Sequence, residues 1–364
     1  PDTVALARET GRKSCVLLKN DGNLLPLPKS GKKIALIGPF GNDKENCPGP
    51  WAVFPDIDSC VTWEAGFRAV LGDALTVVKG SDVEAPIEGG IDAAVKAAKA
   101  SDIVVLAIGE AANMSGEAQS RVDISIPEPQ LALAEAIAAT GKPVVVILKH
   151  GRALALTGAV KAAPTILATW FLGSEEGNSI ADIVFGDYAP QGRLPVSFPQ
   201  ASGQEPFYYN HRITGRPQIS DDKSFKARYR EVTNDALYPF GHGLSYSTVS
   251  YGATAVSGAI LRMNGSVKVT ATVSNTGTRK VHEVAQLYIH DKVASMTQPI
   301  RALKGIQHLD LEPGHSTTVA FTLTPVDLAF VHPNLKPSAE AGRFDVWIAP
   351  SSTGGTSASF ELKA

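Results

Sequence analysis

Two carboxylates share the stretch GEAANMSGEAQSR at residues 109–121, Glu110 at its head and Glu117 near its end. A carboxyl group is a common donor or acceptor of protons in group transfer, and one carried on a loop can be laid over a ligand held elsewhere. Glu117 has Ser115, Gly116 and Ala118 around it, small neighbours that let the backbone approach a substrate closely. Arg121, four residues on, is a candidate to orient or electrostatically tune that carboxylate. Most glutamates in loops are solvated and idle, and spacing alone leaves both residues open to that reading. Acid–base work also calls for a second group, and the stretch offers no obvious one.

The apolar run DIVVLAIGE (102–110) delivers this loop, and it is one of five of its kind. The others are KIALIGPF (33–40), LTVVKG (75–80), PVVVILKHG (143–151) and TILATWF (165–171). Near-continuous apolar runs of this length fit strands covered on both faces. Between them IDAAVKAAKAS (91–101), PEPQLALAEAIAAT (127–140) and EEGNSIADIVFG (175–186) have helical spacing. Pro127 and Pro129 suit a helix entry and Gly141 an exit; Glu175 and Glu176 fall in a first turn, where negative charge is favourable. Strand–helix alternation predicts a mostly parallel α/β sandwich, in which sites gather at loops leaving the carboxyl ends of strands. The loop 110–121 is such a loop.

After about residue 205 the texture changes. A polar, aromatic stretch to 245 reads as a connector, and then the period drops to two in SVKVTATVSNTG (266–277), EVAQLYIHD (283–291), STTVAFTLT (316–324) and RFDVWIAPS (343–351). Turns such as NTGT and EPGH separate these runs, a pattern that predicts an antiparallel β-sandwich over 246–364.

Composition sets outer limits. The 364 residues exceed one ordinary domain, 44% are hydrophobic, and a net charge of −2 marks neither a nucleic-acid binder nor a membrane-surface protein. No apolar run reaches the length of a membrane span. The chain opens on PDTVALARET, without Met or a signal peptide, as a processed chain or the later part of a longer one would. Cys15 lies in an apolar stretch and reads as a buried thiol. Cys47 and Cys60 flank a loop; they pair if the protein is exported and stay reduced in the cytosol, and the sequence leaves both open. No Cys/His spacing fits a metal site and no GxGxxG is present, so neither a metal nor any other cofactor is expected.

Four motifs carry a resemblance. VLLKNDGNLLPLP (16–28), GDYAPQGRLPVSFP (186–199), YPFGHGLSYS (238–247) and RALKGIQHLDLEPGHS (301–316) together resemble glycoside hydrolase family 3, in order and over essentially the whole chain. The resemblance is to periplasmic-type bacterial β-glucosidases. It implies a six-stranded α/β sandwich at 33–205, a connector at 206–245 and a fibronectin III-like domain at 246–364. Residues 1–32 would then link to an N-terminal TIM-like barrel that this chain does not contain.

The family's SGEA segment before an Arg places the general acid/base on Glu117, with Glu110 merely ending its strand. The nucleophile would be an Asp on the barrel, so no Asp of this chain is assigned. Trp51, on a loop near the expected site mouth, is a candidate for stacking on a sugar, and Met114 could border the same region. His150, Arg152 and His242 read as structural. The resemblance further implies a β-linked gluco-oligosaccharide or aryl β-glucoside substrate, the barrel as partner, a possible homodimer and a periplasmic or secreted location. A β-xylosidase is the nearest enzymatic alternative, and a carbohydrate-binding or scaffold chain is the alternative without a barrel. The family's N-acetylglucosaminidase branch, which uses a His in this role, is disfavoured by Glu117.

Overall fold

The computed structural model describes residues 2–218 and 225–364. The chain divides into two compact units. The first gathers residues 1–193, 199–205 and 243–246, and the second 194–198, 206–242 and 247–364. Of the stretch expected as a connector, residues 219–224 lie outside the described residues.

In the first unit the strands are β1 (Val16–Asn20), β2 (Ile34–Ile37), β3 (Leu75–Val78), β4 (Ile103–Gly109), β5 (Val144–Lys149) and β6 (Thr165–Ala168), in spatial order β1-β6-β5-β4-β2-β3. All neighbours run parallel except β1, which pairs antiparallel with β6. Every residue of β2, β4, β5 and β6 is buried, which is why their sequences are apolar without alternation. Ile34, Leu36, Val105, Ala107, Val145, Ile147 and Leu167 face one core with Trp63, Phe67, Ile180 and Ile183; the residues between them face the other side of the sheet. The edge strand β1 falls inside the segment expected only to connect. It is short, and its last two residues, Lys19 and Asn20, are half-buried and polar, so hydrophobicity does not announce it.

The helices are α1 (Asp2–Ser14), α2 (Trp63–Leu71), α3 (Gly90–Lys99), α4 (Glu128–Ala138), α5 (Gly158–Ala162) and α6 (Glu176–Val184). Helix α6 packs on α1 and α2, while α3, α4 and α5 pack in sequence, giving the α/β sandwich read from the alternation. The Thr62 side chain caps α2 by accepting from Ala65 N–H at 3.1 Å. Arg8 Nε donates to Asp182 at 2.7 Å and ties α1 to α6.

The second unit is a pair of antiparallel sheets around one core. One is built on Val267–Asn275, flanked by Ser316–Leu323 and Val249–Tyr251. The other runs Ala302–Leu311, Val281–Asp291, Gly342–Ala349, Ser357–Lys363 and Ile260–Arg262, this last strand pairing parallel. Val269, Ala271 and Val273 meet Ala285, Leu287, Val346 and Ile348 across the core. The period of two is plain in Val267–Asn275, where inward residues alternate with outward ones. Among the described residues no helix is long and apolar enough to cross a membrane, and no group of three or more His, Cys, Asp or Glu is placed to hold a metal.

Candidate active site

The loop 110–121 leaves β4 at the carboxyl edge of the parallel strands, where helix–sheet folds of this kind keep their sites. Gly109 makes the departure possible. Its φ of +139° favours glycine, and a Cβ there would lie 1.8 Å from Lys149 O. The freed peptide is held by Gln130 of α4, which accepts from Gly109 N–H at 2.8 Å and donates to Gly109 O at 2.9 Å.

Glu110 follows, and it is not the idle strand end expected of it. Its side chain is fully buried between two guanidinium groups. Arg121 Nη1 lies 2.6 Å from Oε1, and Arg152 Nε reaches both carboxylate oxygens at 3.2 and 3.3 Å. Ser115 Oγ donates to Oε2 at 3.2 Å. Arg152 also donates from Nη2 to Gln119 O at 2.8 Å and to Met114 O, while Arg121 Nη2 reaches Ser125 O at 3.1 Å. A buried carboxylate with two charge-assisted partners thus fastens both ends of the loop.

That arrangement corrects the reading of Arg121, whose partner is Glu110 rather than Glu117. Met114 likewise turns inward. It is buried, and its sulfur accepts from Ala111 N–H at 3.4 Å, so it closes the first turn of the loop on itself.

Glu117 stands at the other extreme. It is exposed, at the second position of a turn closed by Gln119 N–H donating to Gly116 O at 3.3 Å. Ala118 takes a positive φ of 60° in this turn and Gly116 one of 100°. At Gly116 there is also no room for a side chain, because a Cβ would lie 2.8 Å from Pro50 Cβ and 3.9 Å from Trp51 Cε2. The loop after β2 therefore backs the turn that presents Glu117, and it brings Trp51, 71% exposed, alongside. A Gly116→Ala substitution is expected to force the two loops apart and cost about 1–3 kcal/mol, read as a lower urea midpoint of the 364-residue chain.

Beneath these loops is an ion pair that periodicity does not reveal. Lys149 ends β5 fully buried, with Nζ 2.7 Å from Glu176 Oε1 and 3.7 Å from Asp43. Trp63 Nε1 donates to the same Glu176 oxygen. Burial alone would lower the Lys149 pKa, but the carboxylates of Glu176 and Asp43 more than offset it and hold it above the usual lysine range. Glu176 does open α6, as its place in the sequence suggests, yet its charge is matched by a lysine rather than by water. The one sequence signal was a lysine closing an otherwise apolar strand run.

His150, next along, is fully buried; its Nδ1 lies 2.8 Å from Arg152 O and its ring 4.3 Å from Trp170. Burial pushes its imidazole from 6.5 down to about 4. A histidine depressed in this way contributes stability that is present above pH 6.5 and lost as pH falls toward 4, because the unfolded chain binds the proton first. The expected loss across that window is about 3 kcal/mol, and His150→Gln should remove this part of the slope in urea titrations at successive pH values.

Residues 15–246 match the glycosyl hydrolase family 3 C-terminal domain, and residues 283–352 match a fibronectin type III-like domain. The chain belongs to glycoside hydrolase family 3. Over 98% of its length it is 40% identical to a periplasmic β-glucosidase of Salmonella typhimurium, and over 95% it is 35% identical to a β-xylosidase of Formosa agariphila. These alignments cover 49% and 48% of the two relatives, so the family 3 chain spans about half their length. Among solved structures, a β-glucosidase of Listeria innocua in complex with isofagomine superposes with a TM-score of 0.93 at 35% identity, covering 98% of this chain and 49% of that one. In this family 3 chain the two exposed candidates, Glu117 and Trp51, lie on adjoining loops, while Arg121 and Met114 serve the inside of the loop that carries Glu117.

Proposed function

We propose that this chain is the C-terminal portion of a retaining exo-acting β-glucosidase, in which Glu117 is the general acid/base. The nucleophilic Asp would belong to an N-terminal TIM-like barrel, within the half of the relatives' length that these 364 residues do not align with. The observation that carries the reading is the contrast within one loop: Glu110 buried and doubly paired, Glu117 exposed at the apex of a braced turn. Such a carboxyl is free to face a sugar held by another body. On closure it would leave water and meet the glycosidic oxygen that it protonates. After the barrel's Asp has displaced the aglycone, the same carboxylate would take a proton from water in the second displacement.

Trp51 supports the reading as an exposed ring beside the turn, suited to stack on the sugar beyond the cleaved bond. Val53, Phe54 and Val122 are also exposed on these two loops, the kind of apolar surface that another domain covers. Arg121 and Met114 hold the loop and do not touch sugar. The substrate is a β-linked gluco-oligosaccharide or an aryl β-glucoside, and the compartment is the periplasm; both follow the relative named a periplasmic β-glucosidase.

The test is hydrolysis of aryl β-glucosides and β-xylosides by the full-length protein and by the 364-residue chain alone. Activity of the full-length protein, higher on the glucoside, with none from the 364-residue chain, is the expected result. Turnover by the 364-residue chain would place a nucleophile within it and overturn the division of labour. A preference for the xyloside would transfer the reading to the activity named for the Formosa relative.

A further inference from the structure

Cys47 and Cys60 bracket the loop that carries Trp51, and no step of the acid–base reading uses them. Two consecutive residues hold the loop's ends side by side. Gly173 N–H donates to Cys47 O at 3.0 Å, and Val61 N–H donates to Ser174 O at 2.8 Å. Both thiols are free and buried. The Cys47 thiol lies 3.6 Å from Glu176 Oε1; the Cys60 thiol donates to Asp56 O at 3.9 Å and has Cys47 and Glu176 among its electrostatic neighbours. The third cysteine, Cys15, stands apart and donates to Gly11 O at 3.3 Å.

We propose that Cys47 and Cys60 form a reversible disulfide site, closed by thiol–disulfide exchange with a small-molecule or protein disulfide. Cys60, 6% exposed against 0% for Cys47, is the outer thiol and reacts first. Its thiolate attacks one sulfur of the oxidant and expels the other as a thiolate. Cys47 then loses its proton and attacks the Cys60 sulfur of the mixed disulfide, expelling the second oxidant thiolate. The two cysteines give up two electrons and two protons, and the oxidant leaves as two thiols. Burial holds the Cys60 thiol above its usual range, so exchange quickens as pH rises into the alkaline range.

Closure shortens the free path of residues 48–59, and with it the motion of Pro50 and Trp51. Because those two residues back the Gly116–Glu117 turn, the bridge also stiffens the wall behind the proposed proton donor. Only this last consequence rests on the functional reading above; the bridge itself does not.

The experiment uses the 364-residue chain incubated with oxidised glutathione at pH 8, then denatured, alkylated and weighed. The expected product is lighter than the reduced chain by about 2 Da and takes up one alkyl group, on Cys15, where the reduced chain takes up three. Peptide mapping should join Cys47 to Cys60, and dithiothreitol should restore three alkylated thiols. Proteolysis between 48 and 59 should slow at least about tenfold on oxidation, and Cys60→Ser should abolish both the mass loss and the protection. A stable glutathione adduct, or three free thiols after prolonged oxidation, would overturn the bridge. Unchanged proteolysis of the bridged chain would overturn the stiffening. Neither result bears on whether Glu117 is the acid, which an aryl β-glucoside assay of the full-length protein reads separately.

Discussion

In the full-length protein, Glu117→Ala is expected to slow cellobiose hydrolysis by roughly 10²–10⁴-fold, the range over which a positioned general acid acts. A sugar leaving group cannot depart as an alkoxide at neutral pH, so loss of the donor falls hardest on the first displacement. An aryl glucoside with an acidic phenol needs no such help. It should still glycosylate the enzyme quickly and then stall, because water now lacks its base. Azide, a nucleophile that requires no deprotonation, should restore turnover of the aryl substrate and yield the β-glucosyl azide, whose retained configuration reports double displacement. Wild-type rates on cellobiose would sink the assignment. A uniform loss on all substrates, without azide rescue, would make Glu117 a structural residue.

Glu110→Ala is the second large effect, and it is expected in stability before activity. The substitution leaves Arg121 and Arg152, whose side chains are 20% and 23% exposed, facing each other across the space the carboxylate filled. Removing one partner of a buried ion pair costs up to about 3–5 kcal/mol, and the cost here falls toward the low end because both remaining guanidinium groups are partly exposed and keep carbonyl partners. The urea midpoint of the 364-residue chain should fall accordingly. Glu110→Gln keeps the shape and an acceptor oxygen, and should lose less. In the full-length protein both variants should lower kcat although Glu117 is untouched, because the turn that presents it is no longer fastened at its base. A loss of under about 1 kcal/mol would show the pair to be worth no more than a surface salt bridge.

What could be read from the sequence follows from how far each signal reaches along the chain. Five of the six strands of the first unit were legible as apolar runs; in four of them burial on both faces leaves the run unbroken, while β3 is buried only at Leu75. The edge strand β1 leaves no such mark, and only its pairing with β6, Val16 opposite Ala168, identifies it. In the second unit the runs at 267–275 and 281–291 were legible, whereas Ala302–Leu311 is largely exposed and its alternation is weak.

The site divides in the same way. Glu117 was singled out by an ordered motif, and the structure leaves it exposed on its turn. The inversion of Glu110 from bystander to anchor was not legible, because its second guanidinium comes from 42 residues further on. Lys149 and Glu176 escaped for the same reason: each looks ordinary in its own stretch, and their charges cancel only after the strands and helices are assembled.

The clamp on Glu110 also bears on how such a protein can diverge. The ion pairs and the Arg152 contacts hold the loop by a few side chains and by carbonyl oxygens, which every residue type supplies. The side chains of residues 112, 113 and 118–120 are left out of that fastening. If Glu117 is the donor proposed above, lineages can exchange them to fit a different aglycone while that carboxyl stays in place, so that acceptor preference drifts without passing through an unfolded ancestor.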